Sequence, residues 1–179
     1  MAAMKKSSKR FRWRGLMSGI DTCVVIAEGE AAMARLAAQF ASWLQAPCCL
    51  ALSGDLGAGK TTFARGLIQA LCHTPVEVLS PTFLLHQDYT GHRGELIHHL
   101  DLYRISSHAE LIQLGVEDML REGICLIEWP QVAQQLLPDD TLSIHIRHRE
   151  QGQGRELALA TTSPRWQTLL EHFNQMRPV

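Results

Sequence analysis

Residues 54–61 read Gly-Asp-Leu-Gly-Ala-Gly-Lys-Thr and have the types and spacing of a phosphate-binding loop. They match the pattern G-x-x-x-x-G-K-[ST] at every fixed position. Glycines at positions 54, 57 and 59 let the backbone amides, including those of Gly57, Ala58 and Gly59, curl around an anion. The pattern therefore predicts a site for the phosphates of a nucleoside triphosphate.

The residues that follow the loop supply the charge and the metal ligand that such a site needs. Lys60 begins a predicted helix, whose free amides and dipole favour an anion. Its ammonium group is expected to reach the beta and gamma phosphates, and the Thr61 hydroxyl is expected to ligate Mg²⁺. Thr62 can donate to an alpha phosphate oxygen. The expected ligands are therefore ATP or ADP together with Mg²⁺.

Two carboxylates stand at the ends of apolar segments, where a loop of this kind requires an acid near the metal. Asp101 ends the segment 96–101, and Glu128 ends the more uniformly apolar segment 124–128. Each has the alternative of being an ordinary strand-end carboxylate that faces water. Thr82, in Ser-Pro-Thr at 80–82, either senses the gamma phosphate, by ligating Mg²⁺ or ordering an attacking water molecule, or belongs to a strand-entry turn.

Adjacent histidines at 98 and 99 lie within a predicted strand, so their side chains face opposite sides of the sheet. They are not expected to form a paired metal site, and packing or surface roles are favoured for both. The five cysteines include no C-x-x-C pair, so neither a zinc site nor a disulfide framework is indicated.

The elements that position these residues follow from hydrophobic periodicity and from turn residues. Strands are predicted at 22–26, 48–52, 83–89, 95–101, 124–128, 141–149 and 155–161. Helices are predicted at 28–44, 60–72, 108–120 with a break near Gly115, and 166–176, with a short helix up to Leu137. The short turn at 91–94 predicts a hairpin.

This order predicts an α/β fold of the P-loop NTPase class, with a mixed, mainly parallel sheet and helices on both faces. Residues 22–179 are expected to form a single domain, since 46% of the residues are hydrophobic and no linker divides the chain.

Residues 1–21 form a basic arm in which six Lys and Arg residues precede the first acid, Asp21. From Asp21 onward the chain carries 11 basic and 18 acidic residues, which is unlike a general nucleic-acid binder. The arm is predicted to be a disordered tail, or to precede a true start at Met17. The alternative is contact with RNA phosphates and bases through Phe11 and Trp13.

No apolar run approaches the roughly 20 residues that cross a bilayer, so no membrane association and a cytoplasmic location are expected. Asn174 is the sole asparagine, so the Asn-Lys-x-Asp element that reads guanine in many GTPases is absent. ATP is therefore favoured over GTP.

Four elements together resemble those of the TsaE-type ATPases of bacterial tRNA threonylcarbamoyladenosine synthesis. They are the loop at 54–62, Ser-Pro-Thr-Phe at 80–83, His-Leu-Asp-Leu-Tyr-Arg at 99–104 and Ile-Glu-Trp-Pro at 127–130. The resemblance spans about residues 24–160. The basic arm is not part of the family pattern, and Ala37 stands where a glycine is expected.

The resemblance implies weak ATP hydrolysis that matters in complex with a TsaD-type transferase and a TsaB-type subunit, and contact with tRNA only through that complex. It implies that Lys60 and Thr61 bind phosphate and magnesium, that Glu128 is a magnesium ligand, and that Asp101 and Thr82 assist hydrolysis. It also places Trp129 at the nucleotide site or a partner contact, with packing beside Pro130 as the alternative. Glu30 is expected near the adenine.

Two other functions fit the loop. A small-molecule kinase needs an arginine-bearing lid, for which Arg104 and Arg121 are isolated candidates. A nucleotide-dependent scaffold would bind ATP without useful hydrolysis.

Overall fold

A computed structural model describes residues 21–72, 76–149 and 154–175 of the chain. The strands are β1 (Asp21–Ala27), β2 (Cys48–Ser53), β3 (His86–Thr90), β4 (Leu96–Asp101), β5 (Ile124–Glu128), β6 (Leu142–His148) and β7 (Arg155–Thr161). The helices are α1 (Glu30–Phe40), α2 (Lys60–Cys72), α3 (His108–Leu114), α4 (Val116–Glu122) and α5 (Gln167–Gln175), with 3₁₀ turns at Ala41–Trp43, Pro130–Ala133 and Pro164–Trp166.

The seven strands form one sheet in the order β1-β7-β6-β2-β5-β4-β3. The four central strands, β6, β2, β5 and β4, are parallel, and antiparallel pairs with β7 and β3 flank them. All five residues of β5 are buried, as is expected of a strand covered on both faces. The predicted mixed sheet, mainly parallel in its centre, is confirmed.

Helices cover both faces of the sheet. On one face α1, α2 and α5 meet around Phe40, whose ring centroid lies 5.2 Å from that of Phe63 and 4.7 Å from that of Phe173. On the other face α3 and α4 pack through Leu111, Val116 and Leu120. The break between these two helices is at Gly115, which adopts a left-handed conformation with φ of 74°.

Several predicted elements have different bounds. The first helix, predicted at 28–44, spans Glu30–Phe40 and continues as a 3₁₀ turn, Ala41–Trp43. The strand predicted at 83–89 begins only at His86, because residues 81–84 form a turn that Leu85 closes by donating its N–H to the Pro81 carbonyl at 2.6 Å. The helix predicted up to Leu137 is a short 3₁₀ turn, Pro130–Ala133. The last helix begins at Gln167, after a 3₁₀ turn, and its predicted end at Met176 lies outside the described residues.

Nearly all of the basic arm, and most of the turn predicted at 151–154, also lie outside the described residues. Within the described ranges, the helices lack the length and apolar composition required of a membrane span.

Candidate functional site

The loop between β2 and α2 has the shape that its glycines predict. Gly54 has φ of 141°, and a Cβ atom there would lie 2.1 Å from the carbonyl oxygen of Ile146 in the neighbouring strand β6. Gly59 has φ of 106° immediately before α2 begins at Lys60. Any side chain at position 54 would therefore push the loop away from the sheet.

Lys60 lies at the centre of this loop and is 5% exposed. Its ammonium group donates hydrogen bonds to the carbonyls of Gly54 (2.9 Å) and Asp55 (3.0 Å). Burial lowers the pKa of Lys60, while the carboxylates of Glu128, Asp101 and Asp55 oppose that shift. The loop thus carries a positive charge that is held in place by its own backbone.

Glu128 ends β5 with its carboxylate beside the start of α2. One oxygen, Oε2, accepts a hydrogen bond from the Thr61 hydroxyl at 3.0 Å. The other, Oε1, lies 3.0 Å from Nε2 of His99, and since a carboxylate only accepts, the histidine donates. Both Glu128 (2%) and His99 (0%) are almost fully buried. The predicted pair of Thr61 and Glu128 is therefore brought together.

Asp101 ends the next strand, β4, directly beside Glu128 in the parallel register. Its Oδ2 accepts a hydrogen bond from the Thr82 hydroxyl at 2.5 Å, and its Oδ1 accepts one from the Tyr103 N–H at 3.0 Å. The Ser80 hydroxyl lies 2.8 Å from that of Thr82. This hydrogen bond joins Thr82, in the turn at 80–85, to Asp101, so the two residues lie at the same site.

Trp129 packs against the loop from the side of β5. Its ring centroid lies 3.9 Å from the Lys60 ammonium, a cation–π distance, and 4.9 Å from the ring of Tyr103. Its backbone is left-handed, with φ of 57°, and its N–H donates to the Leu52 carbonyl. The unusual backbone turns the chain out of β5 so that the indole covers Lys60.

Glu30 and Thr62 complete the predicted set. Glu30 opens α1, and its carboxylate is 3.6 Å from Arg65 in α2, with 74% of the side chain exposed. Thr62 lies in the first turn of α2, half-buried, one residue beyond Thr61. Their contacts with a nucleotide stay predictions.

Two residues of the site were missed by reasoning from the sequence. His99 was expected to pack or face water, but it orients Glu128; its place two residues before Asp101 on one strand face was the signal that could have found it. Arg155, at the start of β7, donates from Nε to the Ala58 carbonyl at 2.9 Å. No local pattern links residues 97 positions apart.

The donor set suits a magnesium-bound polyphosphate. Thr61 and Glu128 offer a hydroxyl and a carboxylate, which are the oxygen ligands that Mg²⁺ prefers. The loop offers backbone amides and one ammonium group to an anion. Gly54 lies so close to the Ile146 carbonyl that a side chain does not fit at position 54.

Comparison with known proteins gives one consistent family. Residues 27–157 match the family described as "Threonylcarbamoyl adenosine biosynthesis protein TsaE". A protein named tRNA threonylcarbamoyladenosine biosynthesis protein TsaE from Bacillus subtilis is 34% identical over 169 residues, covering 93% of this chain and 96% of the relative. The protein of the same name from Haemophilus influenzae is 40% identical over 111 residues, covering 62% of this chain and 69% of the relative.

The fold has a counterpart among solved structures. The crystal structure of Bacillus subtilis YdiB aligns with a TM-score of 0.72 and 26% sequence identity, covering 89% of this chain and 98% of that one. The similarity therefore extends over nearly the whole of the compared chain.

Proposed function

The chain belongs to the TsaE family, and from this premise we propose that it is the ATP-binding and ATP-hydrolysing subunit for threonylcarbamoyladenosine modification of tRNA. The observation that carries the proposal is the convergence of Lys60, Thr61, Glu128 and Asp101 at the carboxyl ends of β2, β5 and β4. We propose further that it acts on a TsaD/TsaB-type partner complex in the cytoplasm.

The loop binds the triphosphate in this proposal. Backbone amides from Gly57 to Thr62 and the ammonium of Lys60 neutralise the phosphate charge, which is the main source of rate enhancement in phosphoryl transfer. Trp129 shields the ammonium from water on one side and thereby strengthens its attraction to phosphate.

Thr61 and Glu128 would hold Mg²⁺, which supplies charge neutralisation of the phosphates when it is bound. His99 is a positioning residue, because it fixes the Oε1 atom of Glu128 and leaves the carboxylate one orientation. Asp101 accepts the Thr82 hydroxyl proton in a hydrogen bond, so the pair is suited to orient a water molecule toward the gamma phosphate.

The binding step is tested by calorimetry with Mg-ATP. We expect the parent chain to release or absorb heat on binding, and Lys60→Ala to bind at least about tenfold more weakly, because one charged hydrogen-bond donor is lost. The control is Arg121→Ala, which removes an exposed cation that pairs with Glu117 on α4. Far-UV circular dichroism verifies folding. A parent chain that binds no nucleotide would contradict the proposal.

The hydrolysis step is tested by phosphate release, with and without TsaD-type and TsaB-type proteins. We expect the partners to increase turnover and Glu128→Gln to reduce it by about 100-fold, while Glu117→Gln, an exposed carboxylate control, leaves it unchanged. Full turnover by Glu128→Gln would transfer the magnesium role to Asp101. Turnover that the partners leave unchanged would refute the proposed complex.

Neither of the two candidates for the lid arginine of a kinase, Arg104 and Arg121, makes its described contacts with the loop. Arg121 pairs with Glu117 and Asp118 on the exposed face of α4, and the Arg104 guanidinium lies 5.3 Å from the Phe83 ring. ATP consumption that depends on an added small-molecule acceptor would restore that alternative. Tight ATP binding without turnover, even with the partners present, would instead favour the scaffold.

A further inference from the structure

A second cluster of ligating side chains lies on the β3–β4 hairpin, on the sheet face opposite His99. Nε2 of His86 and Nδ1 of His98 are 3.3 Å apart, and each lies 2.6 Å from Oδ1 of Asp88. Among the described residues, His86, Asp88 and His98 are the His, Cys, Asp or Glu side chains whose donor atoms lie close enough together to hold one metal ion.

The antiparallel register of the hairpin brings the three residues together. His86 and Asp88 are two residues apart on β3 and therefore share a face, and Asp88 pairs directly with His98 on β4. His99, the next residue along β4, points to the other face and contacts Glu128. The cluster is thus separate from the nucleotide site.

His98 is held rigidly by its surroundings. Only 8% of its side chain is exposed, and a Cβ atom at Gly123 would lie 2.6 Å from its Cδ2 atom. Gly123 has φ of −122°, which any residue adopts, so the absence of a side chain there serves to make room for the ring. Nε2 of His98 is buried without a hydrogen-bond partner, and Nδ1 is the ring nitrogen that faces Asp88 and His86.

We propose that His86, Asp88 and His98 bind one divalent transition-metal ion of the zinc class. Two imidazole nitrogens and one carboxylate, with further positions open to solvent, form a known zinc ligand set. Tetrahedral zinc places two nitrogen ligands about 3.3 Å apart, and the two histidines already meet that spacing. Asp88, whose side chain is 57% exposed, has room to move outward from its hydrogen-bonding position to a ligating one.

The chemistry of the donors selects the metal class. Imidazole favours zinc and its transition-metal neighbours, whereas Mg²⁺ requires oxygen ligands, so this site and the loop site take different ions. The five cysteines are all buried and do not offer a competing site on the surface.

The bound ion would fasten the hairpin that carries two residues of the nucleotide site. Thr82 lies in the turn that leads into β3, and Asp101 is the last residue of β4. An ion that joins the two strands adds a link that the unfolded chain lacks, so it stabilises the folded state.

The test is a titration of the full-length chain, freed of any histidine tag, with Co²⁺ followed by Zn²⁺. We expect one equivalent of Co²⁺ to give visible absorption bands of a four- or five-coordinate site, and Zn²⁺ to displace them. Asp88→Ala and His86→Ala should each weaken Co²⁺ binding by at least about tenfold. Both positions are partly exposed, so these variants are expected to fold.

The matched control is His108→Ala, which removes an exposed histidine at the start of α3 and should bind Co²⁺ as the parent does. Lys60→Ala should also bind Co²⁺ normally, which separates this inference from the proposed ATPase function. Zn²⁺ should raise the unfolding temperature of the parent more than that of Asp88→Ala at the same concentration. Co²⁺ binding of parental affinity in both Asp88→Ala and His86→Ala, or absence of binding by the parent, would overturn the proposal.

Discussion

The position of the Glu128 side chain depends on two others. Thr61 fixes one carboxylate oxygen and His99 the other; the contact with His99 is buried, and the contact with Thr61 is partly buried. A buried hydrogen bond to a carboxylate is stronger than one in water, so loss of a single donor leaves the charge poorly compensated. The orientation of this carboxylate is therefore a property of three residues.

His99→Ala tests that dependence. With its Nε2–H donor removed, Glu128 should turn away from Thr61, and the Mg²⁺ concentration that supports half-maximal ATP hydrolysis should rise about 10- to 100-fold. The same measurement on His108→Ala should match the parent. If Mg²⁺ dependence is unchanged in His99→Ala, the histidine only fills space.

The lowered pKa of Lys60 predicts a pH dependence of ATP affinity. Burial favours the neutral amine, so Lys60 should lose its charge at a lower pH than its ordinary value of 10.5. ATP affinity should then begin to decrease below the ordinary pKa of 10.5 as the pH rises. Lys60→Arg keeps its charge over this range, so its affinity, measured by calorimetry at each pH, should stay level. Parallel pH profiles for the two chains would refute the assignment.

At the scale of elements, the loop depends on the strand beside it. Gly54 passes so close to the Ile146 carbonyl that a methyl group cannot fit, whereas a Cβ atom at Gly57, with φ of 76°, would have nothing within 4 Å. The two glycines therefore differ in whether β6 lies against them. Only the first should be required for the loop to reach its position.

Gly54→Ala and Gly57→Ala form a matched pair. Both substitutions strain the backbone, at a cost of about 1–3 kcal/mol in unfolding free energy. Gly54→Ala should also displace the loop and weaken ATP binding by at least about tenfold, while Gly57→Ala should weaken ATP binding less. Chemical denaturation and calorimetry on both variants measure these effects. Equal losses of affinity would show that the contact with β6 is unimportant.

Elements that are specified by residues close together in the sequence were predicted with nearly correct bounds. The loop motif, the start of α2 at Lys60, the strand Ile124–Glu128 and the break at Gly115 are encoded within a few neighbouring residues. Contacts that depend on strand order were not predicted. The hydrogen bond from His99 to Glu128 and the one from Arg155 to the Ala58 carbonyl require knowing which strands are neighbours. The proximity of Asp88 to His98 requires the register of the predicted hairpin.

In the molecule as a whole, the reactivity of the five cysteines measures whether the core is closed to solvent. All are buried, and burial raises the pKa of Cys48 to about 11 and that of Cys125 to about 12. A thiol reacts as the thiolate. These thiols are buried and stay protonated near neutral pH, so they should not react with a thiol reagent. The native chain should therefore show almost no reaction with a thiol reagent, and the chain in denaturant should show five equivalents. Fast reaction of the native chain would indicate that the core opens.

The same shift makes stability depend on pH. The folded chain keeps the Cys125 proton that the unfolded chain loses above the ordinary pKa of 9.0, so stability is full below pH 9.0 and falls above it. Relative to Cys125→Ala, the parent should lose about 1.4 kcal/mol of unfolding free energy between pH 8 and 10. Urea denaturation at the two pH values measures the difference. A constant difference would mean that the thiol does not ionise on unfolding.

The strand order also determines how much of the chain must be translated before the loop can fold. Residues 54–61 leave the ribosome early, but β6 lies against Gly54 and Arg155 of β7 holds the Ala58 carbonyl. The nascent chain has to be extended by about another hundred residues before the wall of the phosphate cradle exists. We therefore expect a polypeptide that stops short of β6 to carry the motif without the strand that lies against Gly54, and to bind nucleotide more weakly than the full chain.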